Sequence, residues 1–125
     1  MKFSRFMTAY AVVSGLFGVG FVILPGLVLD IYGMSASETS LFIGQLLGAT
    51  LISLALLGWL AKNASQSEAR HAIVLAMFVG EAFGLVLAVM GQLRGVMNGL
   101  GWLVVAVYLI FTIGLGYFQF VKKVF

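Results

Sequence analysis

Apolar residues gather along the chain into four long runs, at about residues 6–29, 39–61, 69–92 and 97–121, which short polar segments separate. Each run is close to the roughly 20 residues with which an α-helix crosses a hydrocarbon core of about 30 Å. Open sheets leave backbone groups unpaired in lipid, and a barrel is built from more segments of alternating polarity. The pattern predicts an all-α fold, one integral membrane four-helix transmembrane bundle formed by residues 1–125.

Composition excludes a soluble domain. Hydrophobic residues make up 62% of the chain and charged residues 9%, and the mean hydropathy is +1.16. These values leave too little polar surface to cover a water-soluble fold of this length. The chain has no Cys and its basic residues form no patch, so we expect neither thiolate chemistry nor nucleic-acid binding.

Basic residues predict the orientation of the helices. Six of the seven lie beside the N-terminus, the central loop or the C-terminus: Lys2, Arg5, Lys62, Arg70, Lys122 and Lys123. The loop at residues 30–38 has no Lys or Arg, and the last loop has only Arg94. Because cytoplasmic loops of membrane proteins carry an excess of Lys and Arg, we expect both termini in the cytoplasm (N-in, C-in).

An acidic side chain, Glu81, lies in the middle of the third apolar run. A charge at the centre of a bilayer costs about 2.5–3.5 kcal/mol, and such residues usually face the interior of a bundle. At about 1.5 Å of rise per residue, Gly18, Thr50 and Tyr108 fall at the same depth. We therefore predict an intramembrane polar site that comprises Glu81, Tyr108 and Thr50, together with Gln92.

Helical periodicity assigns one polar side to each of the last two helices. On the third helix that side contains Arg70, Val74, Met77, Glu81, Ala88 and Gln92, and on the fourth it contains Gly101, Val105, Tyr108, Thr112 and Gln119. Glu81 has two interpretations. Either its carboxyl is protonated and hydrogen-bonded and fixes the helix register, or it exchanges protons or cations.

Small residues within the apolar runs predict close helix contacts. Sixteen glycines are present, and two pairs, Gly44 with Gly48 and Gly80 with Gly84, have the G-x-x-x-G spacing that allows backbones to approach in membranes. The predicted packing residues are Gly18, Gly44, Gly48, Gly80, Gly84 and Gly101. Two S-x-x-E sequences, Ser35 to Glu38 and Ser65 to Glu68, predict helix starts through capping boxes.

The chain offers little catalytic chemistry. The single histidine, His71, lies beside Arg70 at the cytoplasmic start of the third helix, where a solvated imidazole is expected and an axial haem or chlorin ligand is the alternative. One His, no Cys and scattered carboxylates form no metal site. No nucleophile, base and orienting residue can be assembled either, so we predict no cofactor, no metal and no enzymatic activity.

The Pro25-Gly26 break, the acidic loop that follows, Gly48-Ala49 and the segment Trp59-Leu60-Ala61-Lys62 resemble small four-helix bacterial membrane proteins, broadly the DoxX-like group. This resemblance implies the bacterial inner membrane and a place in redox- or stress-linked membrane assemblies, and it transfers no catalytic residue. Small multidrug-resistance transporters are similar in having four helices and one embedded glutamate. They carry it in the first helix, whereas Glu81 lies in the third.

Two functions follow from these features. The first is a non-enzymatic accessory or structural subunit, or an interaction module, of a membrane assembly. Its partners would be the lipid bilayer and either other membrane subunits or further copies of the chain. The alternative is a small proton-coupled transporter that acts as a homo-oligomer, with Glu81 as the proton-exchanging group.

Overall fold

A computed structural model of the protein describes residues 2–121, which form helices and short connections and contain no strand. The chain divides into two compact units, Met1–Asn63 and Ala64–Phe125. Each unit is a helical hairpin. The prediction of a single four-helix bundle concerns the assembly of the two hairpins, and it stays a prediction. Lys122 and Lys123, expected to follow the last helix, lie outside the described residues.

Five α-helices are present in the described part of the chain, one more than predicted. They are α1 (Phe3–Ile23), α2 (Pro25–Ile31), α3 (Glu38–Ala61), α4 (Glu68–Leu93) and α5 (Gly101–Gly116), and α5 continues as a π-helical turn, Tyr117–Val121. In the first unit α1 packs against α3, and in the second α4 packs against α5. Four helical segments are long and apolar enough to cross a membrane: Phe3–Ile23, Glu38–Ala61, Glu68–Leu93 and Gly101–Val121.

The first predicted helix is wrong in one respect, because it is interrupted at Leu24. That residue has φ −130° and ψ 53°, outside the helical region, and a separate short helix starts at Pro25. Proline has no N–H to donate and disfavours helical geometry in the preceding residue. The carboxamide of Gln45 in α3 donates a hydrogen bond to the carbonyl of Val22, at 3.2 Å, beside this break.

Glycines in the left-handed conformation end two helices. Gly33 follows α2 with φ 71° and Gly95 follows α4 with φ 75°. In the turn after α4, Gly95 N–H donates to the Gln92 carbonyl and Val96 N–H to the Gly91 carbonyl, the paired bonds of a Schellman motif. The chain then turns through residues 96–100, so α5 begins at Gly101 rather than near 97 as predicted.

The caps of α3 and α4 are formed by serines two residues after those predicted. Ser37 Oγ accepts from Ser40 N–H at 3.1 Å, and Ser40 Oγ accepts from Ser37 N–H at 2.7 Å, so the capping box uses two serines. Ser67 Oγ accepts from Arg70 N–H at 3.2 Å. With these caps Glu38 and Glu68 fall in the first turns. There a carboxylate is favoured by the partial positive charge of the helix N-terminus.

Around Gly18 and Gly48 the backbones of α1 and α3 come into direct contact. A Cβ atom built at Gly48 would lie 2.7 Å from the carbonyl oxygen of Gly18 and 2.8 Å from the Cβ of Phe21. One built at Gly18 would lie 2.9 Å from the carbonyl oxygen of Gly48. Gly44 is also buried, and its Cβ would meet the Phe21 ring at 3.3 Å. Only residues without a side chain allow the two helices to lie this close.

Large apolar side chains cover the outer sides of all four long segments. Leu16 is 70% exposed, Leu60 70%, Phe83 67% and Ile110 61%. Such a surface is unsuited to water but matches the hydrocarbon of a bilayer. The exposed apolar side chains and the lengths of the four segments therefore both indicate helices that lie in a bilayer.

We predict that Gly48→Ala destabilises the protein while Gly80→Ala does not. The new methyl group at Gly48 would meet a backbone oxygen of the neighbouring helix, whereas a Cβ at Gly80 has no described atom within 4 Å apart from the adjacent backbone of α4. Forcing an extra carbon into a packed contact costs about 1–3 kcal/mol. Thermal unfolding in detergent measures both variants against the wild type. Equal melting temperatures for Gly48→Ala and the wild type would contradict the close contact between α1 and α3.

Candidate intramembrane polar site

Glu81 and Tyr108 lie on the two neighbouring helices of the second hairpin. Glu81 lies in α4 and Tyr108 in α5, both half-buried, and the two side chains interact electrostatically. The Tyr108 ring lies against Gly84, where a Cβ would come within 2.7 Å of the ring atom Cδ1. Gly84 is one turn along α4 from Glu81, so the missing side chain there provides the space that brings the phenol ring beside the acid.

Gln92 belongs to the end of the hairpin and not to the surroundings of Glu81. Its Nε2 donates to the Asn98 carbonyl at 2.8 Å, and its carboxamide packs against Gly101 at the start of α5. Eleven residues of helix separate it from Glu81, a distance of about 16 Å at about 1.5 Å per residue. The structure therefore does not bring Gln92 together with Glu81, although both lie on the same helix.

The oxygen of the Gln92 carboxamide has an unusual environment. Oε1 is buried and has no hydrogen-bond partner among residues 2–121. The nearby Asn98 side chain is already used, since its Oδ1 accepts from Leu100 N–H at 3.0 Å. Gln92 and Asn98 together order the turn that joins α4 to α5.

Thr50 lies in the first hairpin, where its side chain is exposed. Its hydroxyl donates to the carbonyl of Leu46, one turn earlier in α3, at 3.2 Å. A hydroxyl that bonds to its own helix needs no partner from elsewhere in the membrane. The predicted convergence of Thr50 with Glu81 stays a prediction.

The predicted packing glycines fall into two groups. Five of them, Gly18, Gly44, Gly48, Gly84 and Gly101, lie against other residues at distances that a side chain would disturb. Gly80 does not, because it is exposed and a Cβ there would contact no described atom beyond the adjacent backbone of α4. The G-x-x-x-G spacing at 80–84 therefore brings only Gly84 into the contact with α5.

A second polar pair, absent from the predicted site, joins the opposite end of the hairpin. Gln119 is only 3% exposed, and its Nε2 lies 2.6 Å from His71 Nδ1. The prediction of a solvated His71 is therefore wrong, since the imidazole is half-buried and accepts this hydrogen bond. Gln119 lies in the π-helical turn. The sequence feature that pointed to it is its position on the same side of the last helix as Tyr108.

Phe78 packs beside this pair. A Cβ at Gly116 would lie 3.0 Å from its ring atom Cε1, and its ring makes an edge-to-face contact with Phe120, with centroids 5.3 Å apart. Together with Gln119 these residues attach the π-helical turn to α4. Turns of this type occur frequently at functional positions in helices.

The remaining ionisable groups do not assemble into a metal centre. No group of three His, Cys, Asp or Glu side chains with metal-binding geometry is present among residues 2–121. Outside the apolar segments, burial raises the pKa of Tyr32 above its usual value, so this phenol stays neutral in the ordinary pH range. The chemistry within the second hairpin is that of one carboxyl beside one phenol in apolar surroundings, which suits hydrogen bonding or proton exchange.

Comparison of the chain with protein-family models, with curated proteins and with solved structures gives no match. The fold adds a coarse class, since four candidate membrane-spanning helices indicate a multi-pass membrane protein. Any more specific function depends on the geometry of the two hairpins.

We expect Gln119→Leu and His71→Phe to destabilise the protein by amounts that are not additive. Each removes the bond between the two side chains, which is worth about 0.5–1.5 kcal/mol, and Gln119→Leu leaves a ring nitrogen without this donor. A double-mutant cycle, measured by thermal unfolding in detergent, reports the coupling free energy. Thr112→Val serves as a matched control, because its hydroxyl bonds only the Tyr108 carbonyl of its own helix. A coupling of zero would contradict the pairing of His71 with Gln119.

Proposed function

We propose that this protein is a non-enzymatic subunit or interaction module of a membrane assembly. The observation that supports this most is how little of the described chain lies outside the membrane-length helices. The connections are residues 24–37, which include α2, residues 62–67 between α3 and α4, and residues 94–100 between α4 and α5. Segments this short hold no catalytic domain. The helix surfaces are then the part of the molecule available to partners, which would be lipid, other membrane subunits or further copies of the chain.

We propose that the protein lies in the bacterial inner membrane with both termini in the cytoplasm. The distribution of Lys and Arg supports this orientation, since Lys2, Arg5, Lys62 and Arg70 lie at the ends of the apolar segments that would face the cytoplasm. The proposed bacterial origin, and membership of the DoxX-like group, are supported by the hydropathy pattern, the glycine positions and Pro25.

A proton-coupled transporter is the second candidate, and one observation favours it. Glu81 is held beside Tyr108 in a part of α4 that is otherwise apolar. An ionisable group within a membrane segment often marks a proton path. A chain of 125 residues is small for a transporter, so in this case the path would be formed by a homo-oligomer.

Replacement of Glu81 distinguishes the two candidates. If the carboxyl is structural, Glu81→Gln keeps its size and hydrogen-bonding capacity, and both stability and the mass of the assembly extracted in mild detergent are retained. Glu81→Leu then costs about 1–3 kcal/mol, because polar neighbours lose their partner in apolar surroundings. Native mass spectrometry and thermal unfolding measure the two quantities.

Proton flux into proteoliposomes provides the complementary measurement. The subunit role predicts no flux in the wild type, and the transporter predicts a flux that Glu81→Gln abolishes without loss of folding. A wild-type flux of that kind would replace the first proposal by the second. A protein that is extracted only as a monomer and carries no flux would contradict both.

Fusion of a reporter to Phe125 tests the orientation. A reporter that is active only in the cytoplasm should give a signal at this position, and the same reporter placed after Met34 should give none, because that loop would be periplasmic. The reverse pair of signals would invert the proposed topology.

A further inference from the structure

The positively charged residues of the first hairpin all lie at one of its ends. Lys2 immediately precedes α1, Arg5 lies in its first turn, and Lys62 immediately follows α3. These helix ends are joined by a hydrogen bond, in which Ser4 Oγ donates to Asn63 Oδ1 at 3.3 Å. Each of the three cations is therefore within two residues of one bonded pair. We name Lys2, Arg5 and Lys62 the basic end of the first hairpin.

No acidic residue of this hairpin shares the basic end. Its two acids, Asp30 and Glu38, lie in α2 and at the start of α3, at the other end of the long helices. Among residues 2–121, no carboxylate forms an ion pair with Lys2, Arg5 or Lys62. The N-terminus of α1 lies at the same end and contributes a partial positive charge. The basic end therefore has a local positive charge that no described side chain neutralises.

Trp59 indicates the depth of this surface in a membrane. The Lys62 Nζ lies 3.3 Å from the centroid of the Trp59 ring, and Trp59 is 48% exposed. Tryptophan is enriched where the hydrocarbon meets the lipid headgroups, and a cation over its face is attracted to the ring. This contact would hold the Lys62 ammonium group at headgroup level beside an exposed aromatic surface.

We propose that the basic end binds the phosphate of an anionic phospholipid headgroup. Lysine and arginine donate charge-assisted hydrogen bonds to phosphate oxygens, and basic clusters directly beside a membrane helix attract anionic lipids. The exposed apolar sides of α1 and α3 suit the acyl chains of the same molecule, which a soluble anion lacks. This lipid site is independent of the role of Glu81 and of the choice between subunit and transporter.

Lipid titration of the purified protein tests the proposal. Binding of phosphatidylglycerol is measured by native mass spectrometry in a neutral detergent, for the wild type and for Lys2→Gln, Arg5→Gln, Lys62→Gln and the triple variant. We expect each single variant to weaken binding about fivefold and the triple variant to remove it. Arg94→Gln is the matched control, because Arg94 is an exposed cation in the turn after α4, and this variant should bind as the wild type does.

Three results would overturn the proposal. The first is unchanged phosphatidylglycerol binding by the triple variant, with its helical content verified by circular dichroism. The second is equal binding of phosphatidylcholine by the wild type, since that headgroup has no net charge. The third is complete displacement of the lipid by inorganic phosphate at the same concentration, which would identify a small-anion site. If the triple variant does not fold, the single variants decide, and three unchanged affinities exclude the site.

Discussion

Every polar backbone group of a helix in hydrocarbon has to find its partner within the protein, because lipid offers none. The break at Pro25 violates the regular pattern, and the Gln45 side chain from the neighbouring helix supplies a donor for the Val22 carbonyl. Thr8, Thr50 and Thr112 each donate their hydroxyl to the carbonyl one turn earlier in the same helix. The chain thus tolerates polar residues in apolar segments by satisfying most of them locally. Glu81 and Gln119, like Gln45, differ, since their interactions reach the neighbouring helix.

The two hairpins achieve close packing in different ways. In the first, Gly18 and Gly48 bring backbone against backbone, so the contact between α1 and α3 depends on the absence of side chains from both helices. In the second, a glycine on one helix receives a side chain from the other, a kind of contact that the first hairpin also has where Gly44 meets the Phe21 ring. Gly84 accommodates Tyr108, and Gly116 accommodates Phe78. At Gly84 this arrangement brings the Tyr108 ring into the contact between α4 and α5.

Hydropathy and periodicity were sufficient to predict the long helices, because a membrane segment is defined by length and apolar character over some 20 residues. They also predict that Gly44 and Gly48 lie on one side of α3, where both are buried. The interruption at Leu24 was missed as a helix end, although Pro25 indicated it, because apolar residues continue through the break. Gln92 and Glu81 share one side of α4, but the eleven residues between them put the two side chains about 16 Å apart along the helix, a separation that the sequence already contains. The pairing of His71 with Gln119 depends on the register between two helices, which a single sequence does not contain.

The contrast between the two kinds of glycine contact has a consequence for how this sequence can change over time. Where Tyr108 lies on Gly84, a larger residue at 84 can be accommodated if a smaller one appears at 108. Substitutions at the two positions can therefore compensate each other. Gly18 and Gly48 have no such freedom, because the neighbour of each is the other's carbonyl oxygen, which no substitution removes. Divergent copies of this chain are therefore expected to retain Gly18 and Gly48 in the first hairpin. In the second hairpin, they are expected to show paired substitutions at positions 84 and 108.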